Sequence, residues 1–147
     1  STDNMLYDYE EGTFVPTAEF STTNPTSGGI TSGNGVYTKI GRVVTVHVKI
    51  LNINDTGAAG DIRIKNLPFV ALADSGDGAV ASYVGTASQA SVNIAGSTYL
   101  TSEVLDGQNI MRVNENIDNS VRDGINTGNI NDGTSDFFCT LVYPTAS

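Results

Sequence analysis

The chain has 147 residues, a formal net charge of −9, 39% hydrophobic residues and 16 glycines. Its seven lysines and arginines are scattered along the sequence, so no phosphate-binding surface is expected and a nucleic-acid partner is excluded. No stretch approaches the ~20 apolar residues that a membrane-spanning helix requires, and the N-terminal residues lack the features of a signal peptide.

The clearest strand predictions form a hairpin. Val43 to Ile50 alternates between apolar and more polar residues, which is typical of a half-buried strand. Val36 to Ile40 is also β-prone, and Gly41-Arg42 between the two segments predicts a tight turn, because glycine supplies a positive φ. Asp61 to Leu67 alternates again and ends at Pro68, which cannot donate to a β-ladder.

The remaining strand candidates are short and are separated by segments rich in Gly, Asn and Asp. They are Thr13 to Phe20, Ala79 to Val84, Ser88 to Ile94, Thr98 to Leu105, Ile110 to Asn114 and Phe137 to Tyr143. Three segments are polar enough to be loops outside the core: Ser21 to Asn34, Asn52 to Gly60 and Asn114 to Asp136. Eight or nine short strands predict a single antiparallel all-β domain over residues 1–147, a β-sandwich or jelly roll.

Three segments in the first half of the chain form an ordered set. They are Asp8 to Thr17 (DYEEGTFVPT), Gly35 to Val44 (GVYTKIGRVV) and Asn66 to Phe69 (NLPF). In this order and at this spacing they resemble a module found near the C-termini of tailed-bacteriophage adhesion proteins, namely tail fibres, tailspikes and tail-needle knobs. The C-terminal half of the chain has no such counterpart.

The resemblance implies a β-structured tip domain of a virion tail, made in the host cytoplasm and assembled as a homotrimer. It implies that the chain is the C-terminal fragment of a longer fibrous protein, which its start at Ser rather than Met also suggests. The implied function is host attachment by binding a bacterial surface glycan or protein, such as an outer-membrane component, together with capping of the trimer. Two alternatives stay open: a purely structural trimerisation or capping module, and a polysaccharide depolymerase unit.

Most residues of the three segments have a structural explanation. Gly12 and Gly41 are expected in turns, where glycine tolerates a positive φ. Phe14 and Tyr37 offer large apolar surfaces for packing. Pro16 is expected at a sheet edge, since it lacks an amide donor.

The acidic residues of the first segment are not expected to act as catalytic carboxylates. Glycoside hydrolysis needs two carboxyl groups about 5–9.5 Å apart across a groove. Glu10 and Glu11 are adjacent on an extended segment, so their side chains point to opposite sides. They are expected instead to pair with Lys39 or Arg42. The sequence therefore predicts that the chain is not an enzyme.

Other chemistry-bearing residues also have ordinary interpretations. Cys139 is the only cysteine and lies in an apolar run, which predicts a buried, unreactive thiol. His47 is the only histidine and lies on the polar side of a predicted strand, so a zinc site is not expected. The acidic turns do not fit a calcium-binding loop, and no nucleotide-binding motif is present. No metal and no cofactor are predicted.

Sugar recognition is the remaining hypothesis for a binding site. Lectin-like sites combine aromatic faces with Asn and Asp side chains that bond sugar hydroxyls. The ligand-binding candidates are therefore two tyrosines on predicted strands and four residues of the longest polar segment: Tyr83, Tyr99, Asn126, Asn129, Asn131 and Asp132.

Overall fold

The protein is a ten-stranded all-β structure in a computed structural model that describes residues 8–27, 29–73, 82–94, 99–117, 120 and 122–146. The strands are β1 (Tyr9–Phe14), β2 (Thr17–Phe20), β3 (Ile30–Ile40), β4 (Val43–Ile53), β5 (Ile62–Lys65), β6 (Ser82–Ala90), β7 (Tyr99–Leu105), β8 (Met111–Asn116), β9 (Asp123–Gly124) and β10 (Ser135–Pro144). All pairings between these strands are antiparallel. Among the described residues no helix is present that could cross a membrane.

The strands join into one continuous, curled sheet. Its order is β1-β3-β4-β10-β6-β7-β8-β5-β2, and β9 adds to β8. The first and last strands in this order, β1 and β2, are separated in the chain by only Val15 and Pro16. A link of this length spans at most about 11 Å, so the two edges of the sheet must come close together. The antiparallel all-β prediction is confirmed, and the jelly roll stays a prediction.

The predicted hairpin is confirmed and is longer than expected. β3 and β4 pair from Ile30↔Ile53 to Ile40↔Val43, and Gly41 in the turn has φ 58°. The strand predicted over Thr13 to Phe20 is instead two strands. It breaks at Val15 and at Pro16, which cannot donate an amide to a ladder, and this break sends β1 and β2 to opposite edges.

Two other strand predictions merge into one. Ser88 to Ala90 belongs to β6, which continues from Ser82, whereas Val92 makes only an isolated bridge to Ile130. Positive φ at Ser91 (56°) ends the strand there. Residues 79–81 of the prediction over Ala79 to Val84 lie outside the described residues.

The three polar segments are less loop-like than predicted. Residues 30–34 belong to β3 and residues 52–53 to β4. The segment from Asn114 to Asp136 contains β9, the start of β10 and two core residues, Ile125 and Ile130. Single apolar residues without a period give no strand signal, so only the tertiary structure shows that they are buried.

The core lies on the inner face of the curled sheet. It is built from alternate residues of the strands, including Val44, Val46, Val48 and Ile50 on β4 and Phe137, Leu141 and Tyr143 on β10. The residues between them, such as His47 and Thr140, lie on the outer face. The alternation read from the sequence therefore assigns the two faces of β4 correctly.

Candidate functional site

The three motif segments meet in space around Phe69. Its ring packs edge-on against Tyr37 with ring centroids 5.4 Å apart, and the Lys39 ammonium lies 5.8 Å from its centroid. Lys39 is buried and forms an ion pair of 3.0 Å with Asp8. The Phe69 carbonyl accepts a hydrogen bond of 3.0 Å from the Tyr143 hydroxyl, which ties the cluster to the C-terminal strand. The motifs therefore form one structural cluster.

Two glycines of the motifs make room for aromatic rings across the β1–β3 pair. Gly12 is opposite Tyr37, and Gly35 is opposite Phe14. A Cβ at Gly12 would lie 2.8 Å from the Tyr37 ring, and one at Gly35 would lie 2.3 Å from the Phe14 ring. Each ring thus covers the bare backbone of its partner. The prediction of a turn at Gly12 is wrong, because Gly12 lies within β1.

The two glutamates of the first motif segment each accept a hydrogen bond from a tyrosine. The Tyr37 hydroxyl donates to Glu10 Oε1 at 2.6 Å, and the Tyr9 hydroxyl donates to Glu11. These bonds raise the pKa of Tyr37 and Tyr9 above the usual value, since they favour the protonated phenols.

The expected ion pairs with these two glutamates are not formed. Lys39 pairs with Asp8 instead, and Arg42 donates from Nε to the Thr145 carbonyl at 3.0 Å. The hydrogen bond from Arg42 to Thr145 joins the β3–β4 turn to the last described residues. The sequence does not indicate this long-range contact.

The predicted asparagine ligands make hydrogen bonds within the fold. The Asn126 side chain accepts from the Gly128 amide (2.8 Å), and the Asn129 side chain accepts from the Asn126 amide (3.0 Å). The Nδ2 atoms of Asn129 and Asn131 donate to the carbonyls of Asn93 (2.8 Å) and Ser91 (2.6 Å). These bonds fix the polar segment to the loop after β6, and the binding role stays a prediction.

Asp132 also has partners within the fold. Its carboxylate accepts from the Asp55 amide and the Thr56 hydroxyl, both at 3.0 Å. Burial, and then the nearby Asp132 carboxylate, raise the pKa of Asp55. Across the described residues no group of three or more His, Cys, Asp or Glu side chains could hold a metal ion.

The two candidate tyrosines lie on opposite faces of the sheet. Tyr83 packs against the core, and its hydroxyl donates to the Leu72 carbonyl at 3.2 Å. Tyr99 is 67% exposed and is opposite Asn116 on the outer face. Of the two, Tyr99 alone presents its ring to solvent as a sugar-stacking platform would.

The outer face of β3, β4, β10 and β6 carries a groove of about 500 Å³. His47 lines it and is opposite Val36 on β3 and Thr140 on β10. Exposed large apolar side chains continue along this face: Val36, Ile40, Val43, Val84, Phe138 and Val142. Monomeric proteins rarely expose extended apolar patches of this kind, so the face is suited to contact with another molecule.

A second cavity, of about 240 Å³, lies over β7 and β8 and is lined mainly by charged and amide side chains. At its base Glu103 is only 2% exposed, although it is on the outer face. Its carboxylate accepts from Asn114 Nδ2 at 2.7 Å and pairs with Arg122 at 3.0 Å. The strand pattern alone places Glu103 outward, but nothing in one sequence indicates that Arg122 covers it.

Cys139 is buried among core residues, as predicted. Burial raises the pKa of its thiol to about 12. Burial also raises the pKa of the Tyr143 phenol, on the same strand, to about 12. The ordinary values are 9.0 for the thiol and 10.0 for the phenol. Neither group is therefore a nucleophile near neutral pH.

These two shifts predict the alkaline limit of stability. Below about pH 9 both groups are protonated in the folded and unfolded states, so they leave the free energy of unfolding unchanged. Between about pH 9 and 12 the unfolded chain ionises first, and the free energy of unfolding should fall by up to ~1.4 kcal/mol per pH unit for each group. Urea unfolding at pH 8, 9.5 and 11 measures this fall, and Cys139→Ala should reduce it. A free energy of unfolding that stays constant to pH 11 would contradict the assignment.

The observed architecture is similar to part of a solved structure. The crystal structure of the Dettilon tailspike protein matches this chain with a TM-score of 0.71 and 14% sequence identity. The match covers 92% of this chain and 24% of the tailspike chain. The sequence matches no protein-family model and no curated protein. The likeness shows a shared fold, and it supports the predicted resemblance to phage tail proteins at that level.

Proposed function

We propose that this chain is the tip domain of a phage tail adhesion protein and attaches the virion to the bacterial surface. The observation that carries the proposal is the fold, which follows part of a tailspike over 92% of the chain. The meeting of the three motif segments around Phe69 supports it, because they form one folded unit. In this proposal the domain acts in the virion tail after synthesis in the host cytoplasm.

The proposed receptor is a bacterial surface glycan or protein. The outer face offers two surfaces for it: the polar cavity beside Glu103 and the exposed Tyr99 ring. Aromatic faces and planar polar groups suit sugar rings and hydroxyls. A homotrimer would present each surface three times, and weak sites would then combine through multivalency.

The test is direct binding to bacteria. Labelled domain should bind to the surface of strains that a phage carrying this protein infects, and it should compete with adsorption of that phage. Resistant strains that lack the surface polysaccharide provide the control. Absence of binding to every susceptible strain would overturn the attachment proposal. Release of reducing ends from purified host polysaccharide would instead favour the depolymerase alternative.

A structural trimerisation or capping module is the second candidate, and the apolar outer face favours it. Val36 on β3 and Phe138 and Val142 on β10 are large apolar residues exposed on this face, and the first two line the groove. Burial of such a face between subunits contributes roughly 25 cal/mol per Å² of apolar surface. Light scattering should give three times the 15.4 kDa chain mass at micromolar concentration. A trimer that binds no susceptible cell supports the capping module alone.

A further inference from the structure

The outer face of β5 and β8 contains two adjacent arginines. Arg63 and Arg112 are directly opposite each other in the β5–β8 pair. Within the described part of the chain, neither has a carboxylate in ion-pair distance. Like charges directly opposite each other in a sheet are destabilising. The whole sequence has four arginines and a net charge of −9. A third arginine, Arg122, lines the same cavity as Arg112.

The nearest acidic residues in the same row are engaged with other cations. Glu19 is opposite Arg63 on β2, but its carboxylate pairs with Lys65 at 3.2 Å. Glu103 is opposite Arg112 on β7, but it pairs with Arg122 at 3.0 Å. The row Glu19–Arg63–Arg112–Glu103 therefore leaves two guanidinium groups for an external anion.

The polar cavity adjoins these arginines. Arg112 lines it together with Asn114, Arg122, Asp61 and Asp123, so donors and acceptors face the same space. Its volume of about 240 Å³ is below the range of sites for drug-sized ligands, ~300–1,000 Å³. A single sugar ring suits a space of this size. The carboxylates on the cavity wall can accept hydrogen bonds from sugar hydroxyls. Because they repel an anion, the anionic group of a ligand is expected to lie beside the arginines.

We propose that Arg63 and Arg112 bind the carboxylate or phosphate of an acidic sugar in a bacterial surface polysaccharide, and that the adjoining cavity holds its ring. The inference rests on the proposed attachment function and gives its ligand a chemical class. Guanidinium groups suit this role because their planar forks bond carboxylate and phosphate oxygens in pairs.

The test uses the intact domain and three probes: glucuronate, inorganic phosphate and glucose. Glucuronate should shift the NMR signals of β5 and β8, and glucose should not at the same concentration. Arg63→Gln and Arg112→Gln should each weaken glucuronate binding at least about tenfold, and Arg112→Lys should weaken it less. Lys49→Gln removes the same charge from an exposed site on β4 and should leave binding unchanged.

The outcomes separate the ligand sources and the two proposals. Glucuronate binding well above phosphate binding assigns a carboxylate, and the reverse assigns a phosphate; both support the site. Equal binding of glucose and glucuronate, or equal loss in Lys49→Gln, would overturn it. If the Arg112→Gln domain binds cells as well as the unaltered domain does, the site fails while attachment stands. If the unaltered domain binds glucuronate but no susceptible cell, attachment fails and the anion site stands.

Discussion

Replacement of Gly85 with alanine is expected to destabilise the fold by about 3 kcal/mol, the upper end of the usual cost of overpacking. β10 pairs with β6 as far as Thr140↔Thr86, and beyond that pair its backbone lies against Gly85. A Cβ on Gly85 would lie 2.0 Å from the Thr140 carbonyl oxygen and 2.9 Å from the Leu141 Cα. Because these are backbone atoms, no side-chain rotation can relieve the clash.

The Thr140 carbonyl at this contact also belongs to a hydrogen-bond network. A displacement of β10 away from an alanine at position 85 would break it. Ser102 Oγ lies 3.1 Å from the Thr140 carbonyl and 3.2 Å from the Thr86 carbonyl, so this hydroxyl joins three strands where they converge. Ser102 is fully buried, and loss of a partner for a buried polar group is itself destabilising.

Urea unfolding measures the effect as a lower midpoint at an unchanged slope. Ser88→Ala is the matched control, since Ser88 is exposed on the same strand and should change stability by less than about 0.5 kcal/mol. Equal midpoints for Gly85→Ala and Ser88→Ala would show that β10 does not approach β6 in this way.

Phe138→Asp is expected to convert the proposed trimer into a folded monomer. Phe138 is 43% exposed on the outer face of β10 and lines the large groove. A carboxylate there would have to lose its hydration on burial in a subunit contact, which costs several kcal/mol. The monomer itself should remain folded, because the side chain lies outside the core.

Light scattering and circular dichroism together test this expectation. Val70→Asp is the control. It introduces the same charge at a residue that is 51% exposed but does not belong to this strand face, so the trimer mass should be unchanged. Val142→Asp provides a second substitution on the face and should also give monomers. Trimer mass in both face variants would show that subunits associate elsewhere, and a monomer before substitution would overturn the trimer itself.

The sequence predicted most of the strands because alternation has a simple physical cause. β4 and β10 bury one face each, so apolar and polar residues alternate in Val43 to Ile50, and β10 follows the apolar run from Phe137 to Tyr143. Where burial depends on distant partners, prediction failed. Ile125 and Ile130 lie in a polar segment, yet they are core residues; their backbones bond to those of Ile62 and Val92, which are distant in the sequence.

The candidate binding residues show the same difference between what a local sequence pattern indicates and what depends on residues distant in the sequence. Tyr99 is a candidate from composition alone; the structure exposes its ring on the outer face of β7, and its binding role stays a prediction. The arginine pair could not be predicted, because Arg63 and Arg112 are 49 positions apart in the sequence and meet only through the pairing of β5 with β8. A single sequence contains no signal for that pairing.

By itself, the sequence determined an acidic, antiparallel β-domain with a motif-bearing hairpin, since side-chain alternation and turn glycines act locally. Only the tertiary structure decided the roles of the motif residues, because Gly12, Phe14 and Phe69 take their functions from partners across the sheet. It also decided where charges remain without partners. That property depends on which side chains compete for each carboxylate, and competition of this kind exists only once the chain is folded.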